Sequence, residues 1–165
     1  MEQLNVQKDI AHGFDGDFFS TYRFPDWPNK AIPKVSAGVY AIWNEDDLFY
    51  CGMSGRDIEG AIASGKNRYG LITRLHSHAS GRLSGDQFCV YVANRLVIPS
   101  LGSPQLSMFK SGELTLDSLT RHYIHKHLSY QYVLVESSGE AYEIEKQARA
   151  GELLGLRPLL NPLTD

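Results

Sequence analysis

Two short segments, Gly38-Val39-Tyr40 and Phe49-Tyr50-Cys51-Gly52, set two phenols ten positions apart. Arg74 and His78 follow at a spacing of four, which puts both on one helical face. Glu145 and Asn161 come late in the chain. A phenol ionises near about pH 10, so either tyrosine takes a proton only where a nearby cation favours the phenolate. A carboxylate such as Glu145 can hold a hard divalent ion that keeps water in its remaining positions. Glu143 points about 200° away around a helix, so the two carboxylates do not face one site, and residue type alone leaves the choice among Glu145, Glu143 and Glu140 open. Arg56, Lys66, Arg68, Arg74 and Arg82 form a local positive rim fit for phosphate contacts. Each group also has a plainer reading: the tyrosines as sheet-edge packing residues, the cations as a solvated face, and Asn161 as a turn former before Pro162.

These side chains need elements to position them. Gly38 to Trp43 and Leu48 to Cys51 read as strands joined by a polar turn at Asn44 to Asp47, a hairpin that brings the tyrosines close. A glycine-rich loop from Gly52 to Gly70 leads to a helix near Leu71 to Ala79, with Leu71, Leu75 and Ala79 on one face and Arg74 and His78 on another. Phe88 to Val97 reads as a strand, Pro99 to Gly112 as a loop, and Thr115 as the cap of a helix carrying Leu116, Leu119 and Tyr123. Tyr130 to Val135 is a further strand, and Ser137 with Glu140 opens a helix running toward Leu154, ended by Gly155 and Pro158. The order is β-β-α-β-α-β-α, an α/β domain over residues 35–165. Residues 1–34 form an aromatic arm packed on it, with Phe14, Phe18, Phe19, Tyr22, Phe24 and Trp27 and a short helix around Phe18 to Tyr22.

Gly-Val-Tyr, Tyr-Cys-Gly, the helical Arg74, the late Glu145 and Asn161-Pro162, in this order from about Ala37 to Pro162, resemble the GIY-YIG nuclease superfamily. The resemblance implies a small domain with a central antiparallel or mixed sheet flanked by helices, on which both tyrosines, the arginine and the glutamate converge. It implies a divalent-metal-dependent endonuclease that hydrolyses DNA phosphodiester bonds, with Mg²⁺, or Mn²⁺ in its place, held by Glu145. Such hydrolysis needs an activated water in line with the phosphorus, positive charge near the nonbridging oxygens and a stabilised leaving oxygen. By the resemblance, Tyr40 is the general base or orients the water, Tyr50 orients water or phosphate, and Arg74 binds the phosphate. His78 is similar to the histidine of some restriction-type members and is read as an auxiliary base or phosphate ligand. Arg56, Lys66 and Arg68 add substrate contacts, and Asn161 hydrogen-bonds beside the site and pins the C-terminal segment there. Val39 and Cys51 depart from the family's motif, but both are apolar strand substitutions that keep the packing. The intervals from Tyr50 to Arg74 and from Glu145 to Asn161 exceed those of compact members.

The remaining residues limit the setting. With 16 Lys and Arg against 19 Asp and Glu, the formal charge is -3, so nucleic acid is not coated by bulk charge and any contact is local. Hydrophobic residues at 42% supply a core and weigh against disorder. Cys51 and Cys89 form no CxxC pair, which excludes a thiolate-rich metal site and a disulfide scaffold and favours a reducing, cytoplasmic setting. The chain's start shows no leader pattern, and no run approaches the roughly 20 apolar residues of a membrane span. His122-x-x-His125-x-His127 lacks a carboxylate or cysteine to complete a metal site, and the glycine-rich loop lacks a Walker lysine. No sequence-reading motif is present, so the expected partner, double-stranded DNA, is selected through the arm, the loops, a homodimer or a targeting partner. The alternatives are a non-cleaving or partner-dependent nucleic-acid-binding module and a protein-interaction domain that uses the aromatic arm.

Overall fold

Val39, Tyr40, Ala41 and Ile42 alternate between the two faces of a strand, yet all four are buried, so this strand requires cover on both sides. The structure, a computed structural model that describes residues 20–162, supplies that cover. Its strands are β1 (Tyr22–Arg23), β2 (Val35–Asn44), β3 (Asp47–Ser54), β4 (Tyr69–Gly70) and β5 (Leu128–Val135). Its helices are α1 (Ile58–Ala63), α2 (Leu71–Ser80), α3 (Gln87–Val92), α4 (Ser103–Ser111), α5 (Leu116–His127) and α6 (Ser138–Ala150). The sheet order is β1-β5-β2-β3, antiparallel throughout, with β4 adding a two-residue parallel pairing to β2. The result is an α/β fold with an essentially antiparallel sheet between helices.

Period-two alternation divides the core into two layers. Tyr40, Ile42, Tyr130 and Tyr132 face a cluster built from α2, α3, α5 and Phe24. Val39, Ala41, Cys51 and Val133 face the other way, onto Ala141, Ile144 and Ala148 of α6. Each large apolar side chain so buried contributes about 1.5–3 kcal/mol before conformational entropy is counted. Gly38 lets α2 lie close against β2: a Cβ there would sit 2.7 Å from the Val133 carbonyl oxygen and 3.0 Å from Leu71 Cδ2.

The hairpin, the helix carrying Arg74, the capped helix after Thr115 and the strand after Leu128 match the sequence reading. Thr115 Oγ1 accepts from the Ser118 N–H at 3.2 Å, and Ser137 Oγ accepts from the Glu140 N–H at 3.2 Å. Phe88 to Val97 corrects it: the segment is α3 followed by a π-helical turn at Ala93–Val97, not a strand. Its buried residues, Phe88, Cys89, Val92, Ala93 and Val97, recur at helical rather than alternate spacing. Pro99 to Gly112 is not a loop throughout, because Pro104 occupies the first turn of α4, where no helical N–H is lost, and Gly112 closes it at φ 79. The last helix stops at Ala150, short of Leu154, because Gly151 takes the left-handed conformation at φ 83.

The described residues before β2 make specific contacts. Phe24 is fully buried, Tyr22 pairs with Tyr130 across β1 and β5, and Trp27 Nε1 donates to His76 Nδ1 at 3.2 Å. Phe14, Phe18, Phe19 and most of the short helix expected there lie outside the described residues, and Tyr22, at its end, is extended. Among the described residues no helix is long and apolar enough to cross a membrane.

At the other end, the tail covers the edge strand β3. Leu159 and Leu160 donate their N–H groups to the carbonyls of Leu48 and Phe49 at 3.0 and 2.8 Å. Asn161 then imitates a backbone, its Oδ1 accepting from the Cys51 N–H at 2.8 Å and its Nδ2 donating to the Cys51 carbonyl at 2.9 Å. Asn161→Ala removes both bonds and should lower stability by about 1–3 kcal/mol, read as a lower urea midpoint with an unchanged slope.

Candidate active site

Tyr40 and Gly52 are cross-strand partners in the hairpin. Because Gly52 has no side chain, the Tyr40 ring can lie across it; a Cβ there would collide with the phenol oxygen and lie 2.6 Å from Tyr40 Cζ. Tyr50, opposite Ile42, shares the Tyr40 face, and the two rings stand 6.4 Å apart. α2 crosses this face and presents Arg74 and His78 one turn apart. A cavity of 360 Å³ forms between them, lined by Tyr40, Tyr50, Arg56, Arg74, His78 and Glu145. Glu145 comes from α6, whose apolar face packs on the opposite side of the sheet, and reaches the cavity beside the segment Gly52 to Gly55 of edge strand β3 and the turn after it.

The floor of the cavity is a buried hydrogen-bonded chain. The Tyr40 oxygen lies 2.8 Å from His78 Nε2, and His78 Nδ1 lies 2.7 Å from Asp86 Oδ2. Asp86 is fixed from both ends of its carboxylate, with Ser77 Oγ donating to Oδ2 at 2.6 Å and the Cys89 N–H to Oδ1 at 3.3 Å. Burial disfavours charge on Asp86, but the hydrogen bonds from His78, Ser77 and Cys89 outweigh it and hold the carboxyl below its ordinary range. Burial lowers the His78 value against the pull of Asp86, so the imidazole is neutral. Burial first, then the neighbouring Tyr50, pushes the Tyr40 phenol well above its usual value, while burial and Glu145 push Tyr50 up to about 12. Both tyrosines are therefore hydroxyls at neutral pH, and His78 is the stronger base in the chain.

Charge is arranged around this floor. Arg74 and Arg56 are exposed at the cavity, and among the described residues neither forms an ion pair. Glu145 is half-buried; burial raises its carboxyl's affinity for a proton, and the Arg149 and Arg56 guanidiniums partly offset that. Glu143 is exposed and Glu140 spends Oε2 on the Glu136 N–H at 3.0 Å, so Glu145 is the α6 carboxylate that serves the cavity. Among the described residues no three His, Cys, Asp or Glu side chains cluster as a metal-binding group. The donor set at the cavity, one carboxylate beside cations, suits a hard ion that takes its other ligands from water and phosphate oxygens.

Not every residue singled out in the sequence meets at this cavity. Lys66 stands one step outside, its ammonium 4.7 Å from the centre of the lining Tyr69 ring, while Arg68 and Arg82 are exposed and do not line the cavity. Asn161 does not line it either, its amide being engaged on the Cys51 backbone. His125 is bonded to the Ala79 carbonyl, and the His127 ring lies tilted against Tyr123 at 4.6 Å between centres. Asp86 and Ser77 are the residues sequence reasoning missed. The signal for Asp86 was its place after Ser84-Gly85 and two residues before the apolar run that starts at Phe88, a helix N-cap position that a strand reading of the run concealed.

No family model matches the chain, and neither a curated protein nor a solved structure does. The charge states carry a pH signature. A histidine held below its ordinary value takes up its proton more readily in the unfolded chain, so its contribution is present above about pH 6.5 and lost as pH falls. The raised tyrosines act oppositely, contributing below about pH 10 and losing that contribution as pH rises. Urea midpoints should therefore fall from pH 7 to pH 5, and fall less in His78→Gln.

Proposed function

We propose that the chain is a GIY-YIG-type endonuclease that hydrolyses phosphodiester bonds of double-stranded DNA with the help of a divalent cation, Mg²⁺ or Mn²⁺. The observation that supports this reading is the meeting of two phenols, a neutral histidine, two exposed guanidiniums and one carboxylate at a single cavity, from four separate stretches of chain. A phosphodiester needs positive charge at its nonbridging oxygens, which Arg56, in the turn after β3, and Arg74, on α2, offer at the cavity. Tyr50 and Tyr40 present hydroxyls that orient the phosphate and the attacking water.

Because both phenols resist ionisation, Tyr40 serves as a conduit rather than as the final base. As the water oxygen bonds to phosphorus, its proton passes to the Tyr40 oxygen while the Tyr40 proton moves to His78 Nε2, 2.8 Å away. The bond from phosphorus to the leaving oxygen breaks, that oxygen takes a proton from solvent, and His78 returns its own to solvent before the next turnover. Asp86 offsets the charge that His78 gains. Glu145 would hold the cation, which when bound supplies further neutralisation of phosphate charge.

A net charge of -3 leaves local cations to hold the DNA, so binding is salt-sensitive and modest without a further partner. Supercoiled plasmid and branched DNA, incubated with Mg²⁺ or Mn²⁺, should be nicked or cut, and EDTA should abolish this. Tyr40→Phe and Glu145→Ala should each lower the rate by about 10²–10⁴-fold, with Glu145→Ala still binding DNA. DNA binding by a folded wild type that never cuts, under any of these conditions, would replace this reading with that of a binding module.

A further inference from the structure

Asp86 is 1% exposed, as is His78, and its carboxylate accepts three hydrogen bonds from three different partners. At neutral pH it carries no proton to donate, so His78 Nδ1, 2.7 Å away, must be the N–H that donates to it. The other ring nitrogen, Nε2, then carries a lone pair, and across 2.8 Å the Tyr40 hydroxyl is the donor. Phe88, at 4.6 Å between ring centres, and the edge-on Tyr50, at 6.1 Å, hold the imidazole in this plane. The remaining charged neighbour of the pair is the Arg74 guanidinium, which opposes protonation of His78 and favours its neutral form.

We propose that Asp86 is a positioning residue that sets the His78 tautomer, so that Nε2 stands open to the Tyr40 proton. The assignment deepens the nuclease reading above and rests on it for its catalytic consequence; the tautomer itself follows from the hydrogen bonds alone. It implies a specific failure for the near-isosteric amide. In Asp86→Asn the Cys89 N–H can only donate, whereas the Ser77 hydroxyl can rotate to accept from an N–H; the amide oxygen therefore takes the Oδ1 position and the NH₂ group the Oδ2 position, between Ser77 and His78. That NH₂ group faces His78 Nδ1 and donates to it, so the ring proton must move to Nε2. Nε2–H then points at the Tyr40 oxygen, and the Tyr40 hydroxyl loses its acceptor. Size, packing and the helix cap are retained while the direction of the relay is reversed.

Nitrogen-15 NMR of imidazole-labelled protein at pH 7.5 reads the tautomer directly, and it does so without any substrate. The wild type should show His78 protonated at Nδ1 and bare at Nε2; Asp86→Asn should show the reverse. Ser77→Ala, which removes one bond to Asp86 but leaves its charge, should keep the wild-type pattern. On plasmid DNA, Asp86→Asn should lower kcat by about 10²–10⁴-fold with DNA affinity within about twofold of wild type. A wild-type His78 protonated at Nε2 or at both nitrogens would overturn the proposal, as would an Asp86→Asn protein with undiminished kcat. An absence of cleavage by the wild type would instead count against the nuclease reading, and the wild-type spectrum would decide the tautomer by itself, even if Asp86→Asn failed to fold.

Discussion

Tyr40 lies on the central strand with its oxygen 2.8 Å from His78 Nε2, both residues being all but removed from solvent. A buried hydroxyl or imidazole left without a partner costs about 1–3 kcal/mol, so β2, α2 and the start of α3 must take up one particular spacing. Gly52 makes room for the phenol, Gly38 lets α2 come down onto β2, and Asp86 ends the chain of bonds by capping α3. The spacing of β2, α2 and α3 on the sheet's aromatic face thus follows from one requirement, that the buried phenol, imidazole and carboxylate satisfy one another.

The other half of the site depends on the sheet edge. α6 is anchored by Ala141, Ile144 and Ala148 on the face away from Tyr40, and Glu145 reaches the cavity because β3 is the last strand on that side. The tail bonds to Leu48, Phe49 and Cys51, while Gly52 to Gly55 line the cavity. Covering the first part of an edge strand limits pairing with other chains, and the stretch further along it, Gly52 to Ser54, borders the cavity beside Glu145. The cations are disposed differently, Arg56 and Arg74 being exposed at the rim above the buried hydrogen-bonded chain.

Much of the scaffold was legible because local chemistry and tertiary structure agree. The hairpin follows from two apolar runs about a polar turn, and the caps at Thr115 and Ser137 state where two helices begin. Reading failed where composition and period conflict. Phe88 to Val97 is rich in strand-favouring residues, but its buried positions are helical, and in the structure α5 and the sheet cover them as a helix would need. α4 has no buried residue, so it has no apolar face for a period to reveal, and only Pro104 and Gly112 mark its ends.

The sequence by itself determined the chemistry available: two spaced tyrosines, an arginine and histidine on one helical face, and a late carboxylate, each fixed by residue type and local periodicity. It also determined the glycines, whose missing side chains make sense only beside something large. Tertiary structure decided which of these groups meet at one cavity, placing Glu145 there and Glu143 outside, turning Asn161 onto the backbone of Cys51, and leaving Lys66 and Arg68 outside the cavity. It alone brought Asp86 to His78, and the burial it imposes lowers the His78 value against the pull of Asp86 and raises that of Tyr40. The reason is that hydrogen-bond partners and the desolvation that shifts a proton's affinity depend on distances across the fold, and spacing along a chain carries neither.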